Sequence, residues 1–126
     1  MNKLKQLRDE FNYTLRDLET ELDIPRSNLN LIELGKLFTK NVEKIYKLCD
    51  FFQVTFDYFW GKSNEGIYIN YNNNSYILSE SNFIKYKELG FIKYENNIRL
   101  LVLSDEYDID FVHGNIKIIE VKPKKN

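Results

Sequence analysis

A single cysteine in 126 residues has no partner for an internal disulfide, so nothing marks the chain for an oxidising compartment. No stretch approaches the roughly 20 apolar residues that a membrane-spanning helix needs. The opening MNKLKQLRDEF is amphipathic and lacks the uninterrupted apolar core of a signal peptide. A soluble cytoplasmic protein without membrane contact is therefore expected. Charge of neither sign dominates, since 18 Lys and Arg offset 19 Asp and Glu to a net charge of -1. Any nucleic-acid partner thus requires a local basic patch. The one histidine, His113, sits in a His-Gly-Asn turn. The carboxylates of SDEYDID (104–110) lack the spaced ligands and central glycine of a calcium loop, and read as a solvated loop. No Ser/His/Asp or Cys/His set, P-loop or zinc pattern occurs, so neither enzyme activity nor a cofactor or metal is expected.

Aromatic residues are abundant, at 15% with nine Tyr and nine Phe, and they supply much apolar area to a small core. The chain is long enough for one ordinary domain or two small ones. Its hydrophobic period changes partway. Up to residue 60 the spacing is helical, with Leu4, Leu7 and Phe11 on one stripe and Leu15, Leu18 and Leu22 on the next. Thr14 and Asp17 have capping-box spacing, Pro25 suits the first position of a third helix, and Gly35 suits its left-handed end. A fourth helix is predicted from about Asn41 to Phe52, with Cys49 on its apolar face, and a short fifth from Thr55 to Trp60. After GKSNEG (61–66) the pattern shortens. IYINY and SYILS predict a hairpin, ESNFIKYKEL a helix closed by Gly90, and IRLLVL a strand buried on both faces. DIDFV and IKIIEV predict a second hairpin around His-Gly-Asn, and KPKKN a short basic tail. The fold class is accordingly α+β: a five-helix bundle in residues 1–62, then a small mixed α/β module in residues 66–126 with two hairpins and one helix.

Two short helices joined by a tight turn, as in TLRDLETELDIPRSNLNLIELGK, are what laying one helix in the major groove requires. The chain here resembles the Xre/Cro/phage-repressor family of helix-turn-helix domains over residues 3 to 61. The apolar anchors Leu7, Leu18, Leu22, Ile24, Leu29 and Ile32 fit that family's pattern. So do Glu33-x-Gly35-Lys36 and the closing FDYFWG. The resemblance implies that Leu29 and Ile32 pack inward, whereas Arg26, Ser27, Asn28 and Leu31 face the groove, with Asn30 among the DNA-contacting residues. Arg26 is the candidate for base readout, because a guanidinium matches guanine O6 and N7. Lys36, Lys40 and Lys44 are placed to meet the DNA backbone, and Thr14 with the first amides of its helix is placed to meet a phosphate.

The sequence departs from the family at Leu15, where Gln is frequent, at Leu31, where a polar or basic residue is usual, and at Leu34, where Asn is usual. Pro25 replaces the usual Ser or Thr cap. Residues 1–62 hold ten basic and ten acidic side chains, a weak electrostatic footprint. The leading expectation is a DNA-binding transcriptional regulator, a repressor of a phage or mobile element. It would bind a double-stranded operator, and residues 66–126 would form a homodimer or engage a protein partner. The alternatives are a degenerate helix-turn-helix module that binds protein, such as an antirepressor or a phage-encoded inhibitor of a host nuclease (an anti-CRISPR), and the antitoxin of a toxin pair.

Overall fold

The computed structural model describes residues 2–36, 42–103, 107–112 and 115–121. Leu37, Lys40, Asn41, His113, most of the acidic loop's first half (Ser104 to Glu106) and the KPKKN tail lie outside the described residues. The chain divides into two compact units, Met1–Ser63 and Asn64–Asn126. The fold class is α+β.

The first unit contains α1 (Leu4–Phe11), α2 (Leu15–Leu22), α3 (Arg26–Glu33), α4 (Val42–Phe52) and α5 (Phe56–Phe59). Each helix turns its apolar stripe inward, so that Leu4, Leu7, Leu18, Leu29, Ile32, Leu48, Phe52 and Phe59 are buried, and Ile24 in the turn between α2 and α3 joins them. Full burial of one such side chain stabilises the fold by roughly 1.5–3 kcal/mol. Phe11 and Phe51 pack beside Phe52, with ring centroids 5.6 and 5.0 Å away. Cys49 belongs to this core, where burial pushes its thiol up to about 12.

The helix ends follow from individual residues. Asn12 and Asp23 adopt left-handed backbone at the ends of α1 and α2. Beyond α3, the Gly35 amide bonds to the Ile32 carbonyl and the Lys36 amide to the Leu31 carbonyl, at 2.9 and 2.8 Å. That pair of bonds reverses the chain and requires positive φ, which Gly35 supplies at +72°. Pro25 stands one position earlier than expected. Its ψ of 135° is extended, so it precedes α3 as the cap residue and offers no side-chain acceptor.

The second unit pairs four strands in the order β2-β1-β4-β3, where β1 is Glu65–Tyr71, β2 Asn74–Ser79, β3 Ile92–Glu95 and β4 Ile98–Leu101. Helix α6 (Glu80–Glu88) follows β2, with the Ser79 hydroxyl accepting from the Asn82 amide at 3.2 Å. A separate hairpin joins β5 (Tyr107–Val112) to β6 (Asn115–Val121). The Tyr86 hydroxyl donates to the Ile116 carbonyl at 3.4 Å, and the Phe91 ring lies 4.6 Å from that of Tyr107. β1 and β4 run parallel, meeting at Asn70 and Leu100, whereas the other pairs are antiparallel.

Two expectations need correction. Three hairpins are present among the described residues, not two, because Ile92–Glu95 folds back on Ile98–Leu101. The second correction concerns IRLLVL, which is not buried on both faces. Arg99 and Leu101 point into the unit and are buried, whereas Ile98 and Val102 on the other face are exposed. The Arg99 guanidinium is sheltered over the Phe83 ring, 5.3 Å from its centroid, and reaches the Tyr68 carbonyl at 3.4 Å.

Candidate nucleic-acid interface

The placement of α3 is fixed from both ends. Near its end, Glu33 receives two hydrogen bonds from Arg8, each 2.9 Å, and the same guanidinium donates to the Tyr13 carbonyl at 3.0 Å. The hydrogen bond to Glu33 raises the pKa of Arg8 above its ordinary value. The Asn2 side-chain amide also donates to the Ile32 carbonyl at 2.6 Å. At the start of α3 the acceptor that Pro25 lacks comes from another helix, since the Glu19 carboxylate accepts from the Arg26 amide at 2.6 Å. A carboxylate is also well placed there against the positive end of the helix dipole.

With Leu29 and Ile32 buried, the outward surface of α3 is determined by a turn of about 100° per residue. Arg26, Ser27 and Asn30 are exposed and line one shallow depression with Leu15, Glu19 and Pro25. Asn28 is half-buried; two steps from Arg26, it lies about 160° around the helix from it. Leu31 is half-buried, and Leu34 just past the helix is 57% exposed. Lys36 is exposed beyond Gly35, and Lys40 lies outside the described residues.

Thr14 is exposed at the start of α2, with both its polar groups engaged. Its hydroxyl accepts from the Asp17 amide at 3.0 Å, and its amide donates to the Asp17 carboxylate at 2.9 Å. That backbone bond holds the Asp17 carboxyl below its ordinary range. Lys47 donates to the Leu22 carbonyl at 3.4 Å, at the end of α2. Glu19 is the participant that the sequence reading missed. Its signal is indirect: a proline cap leaves the next amide needing an acceptor, and Glu19 lies two turns upstream. Among the described residues no group of three or more His, Cys, Asp or Glu is placed to hold a metal ion. No helix among them is long and apolar enough to cross a membrane.

Two helices locked around a tight turn, with the second presenting Arg26, Ser27 and Asn30 outward, form a helix-turn-helix pair. The family model described as "Helix-turn-helix domain" matches residues 1–66, just over half of the chain, and the protein belongs to that family. No curated protein and no solved structure matches the chain. A helix-turn-helix domain implies DNA as the partner and suggests a DNA-binding regulator, a role typically without catalysis.

Proposed function

We propose that this protein is a sequence-specific transcriptional repressor of a phage or mobile element, of the Xre/Cro type, that binds its operator as a homodimer paired through residues 66–126. The observation that carries the reading is the joint exposure of Arg26, Ser27 and Asn30 around one depression at the front of α3. Arg26 reads guanine through O6 and N7, and Asn30 is of the type that grips adenine N6 and N7. Ser27 bonds a base edge or a phosphate, and Asn28 and Leu31 flank these contacts. Lys36 and Lys40 meet the backbone from the segment after α3, and the Leu15 and Arg16 amides beside Thr14 meet a second phosphate. One such unit covers a half-site, and two-fold pairing supplies the rest.

Selection from a random DNA pool, followed by titration of the recovered site and its single-base variants, tests this reading. A palindromic site is expected. Arg26→Ala is expected to lower specific affinity about tenfold or more and to relax preference at one base pair per half-site. A pool without enrichment, or an Arg26→Ala protein with unchanged preference at every base, overturns the assignment.

A second reading, a protein-binding module, is favoured by the exposed Leu34 and by the Glu19 carboxylate in the same depression as Arg26. Under it, Leu31→Gln with Leu34→Asn abolishes partner capture and leaves any DNA affinity intact.

A further inference from the structure

The start of α3 has the makings of a general phosphate site. Pro25 caps the helix without a side-chain acceptor, and the Leu29 amide is the first to join the helix's own ladder, bonding the Pro25 carbonyl at 3.1 Å. The Arg26, Ser27 and Asn28 amides precede that ladder. Such amides, at the positive end of the helix dipole and beside a guanidinium, favour any anion. A phosphate bound there carries no sequence information, because phosphates are alike at every base pair. An Arg26 drawn to a phosphate is also withdrawn from base readout.

Glu19 occupies this position from α2. Its carboxylate accepts from the Arg26 amide at 2.6 Å. It is half-buried and lines the same depression as Arg26, Ser27 and Asn30. The contact takes the amide of Arg26 and not its side chain. Among the described residues no carboxylate or carbonyl engages the Arg26 guanidinium, and the residue is exposed. Two effects follow from a negative charge held there. The bond ties the first residue of α3 to α2, which fixes the point from which the Arg26 side chain extends. The charge also opposes an incoming phosphate, by about threefold in affinity for unit charges roughly 6 Å apart in water. A base edge is uncharged and meets much less of that repulsion.

We infer that Glu19 is a specificity-determining residue of the reading face: an internal anion that positions Arg26 and turns phosphate away from the start of α3, so that the guanidinium meets a base edge. The inference rests on the operator-binding reading above and gives the Glu19 carboxylate a part in it.

The test titrates the full-length protein against the site recovered by selection and against a scrambled duplex of equal length, at several salt concentrations. Glu19→Gln keeps a carbonyl acceptor for the Arg26 amide and removes the charge. It is expected to bind the scrambled duplex about threefold more tightly at low salt, with the gain fading as salt rises. Its affinity for the selected site is expected to rise less, so the ratio of specific to non-specific binding falls, while preference at the base pair read by Arg26 is kept. Glu19→Ala removes both acceptor and charge. It is expected to lower the ratio and also to lose preference at that base pair. Circular dichroism checks that each variant is folded, and the folded Gln variant decides the matter if the Ala variant does not fold. A Gln variant with an unchanged ratio at every salt concentration overturns the inference, since a purely structural cap predicts that result. So does a folded Ala variant that keeps its preference at the Arg26 base pair. A random pool without enrichment removes the operator reading and this inference together, whereas an enriched site with an unchanged ratio discards this inference alone.

Discussion

Arg8 ties three parts of the first unit together: its own helix, the loop at Tyr13, and Glu33 at the end of α3. The pair is largely enclosed, with side-chain exposures of 14% and 18%, so removing one partner strands the other where water reaches it poorly. Glu33→Gln is expected to lower stability by about 1–3 kcal/mol, read as a shifted midpoint in urea unfolding with an unchanged slope. Asp17 acts at the surface instead. Its carboxyl titrates below the ordinary range because the folded state hydrogen-bonds its charged form. A depressed folded pKa contributes stability above the unfolded value, near 4, and that contribution fades as pH falls through the lower folded value. Wild type should therefore exceed Asp17→Asn in stability at neutral pH, and the gap should close in acid. Equal separation of the two unfolding curves at pH 7 and pH 2 would remove the capping box from the account of α2.

At the scale of elements, asparagine takes work usually given to glycine. Both Asn72–Asn73 and Asn96–Asn97 adopt positive φ at two successive residues, joining β1 to β2 and β3 to β4. Glycine is the better second residue of such a turn. Asn97→Gly is thus expected to leave the register intact and to raise the melting temperature by a few degrees; a lower value would exclude the mirror-image turn. The helical elements were legible because their signals are local: Thr14 and Asp17 for the start of α2, Gly35 for the end of α3, Gly90 after α6. β3 was not, since four residues of alternation followed by Asn-Asn give a faint hairpin signal. The inward turn of Arg99 was hidden for a different reason. An arginine within IRLLVL reads as a flaw in an apolar strand until the Phe83 ring is known to cover it. In the candidate interface, the helical repeat already separates Leu29 and Ile32 from Ser27 and Asn30. The Glu19 carboxylate belongs to another helix, and only folding brings it to Arg26.

Across the whole molecule, the net charge of -1 means that any DNA affinity depends on local contacts. Log affinity should still fall linearly with log salt, because each phosphate contact releases counterions. Lys36→Ala is expected to weaken all sequences about equally and to reduce that slope by about one. Binding isotherms at several salt concentrations measure it, and an unchanged slope would take Lys36 off the DNA backbone. The order of strands in the second unit also has a consequence for time. The three antiparallel hairpins join neighbours in sequence, and such pieces form in roughly 1–10 μs on their own. The parallel contact of β1 with β4 joins Asn70 to Leu100 across β2, α6 and β3, so it carries the largest loop-closure cost in the sheet. Refolding of this unit should therefore wait for β4 to find β1. A truncation at Leu100 that weakens this contact would slow folding, whereas a weakened Asn72–Asn73 turn would mainly speed unfolding.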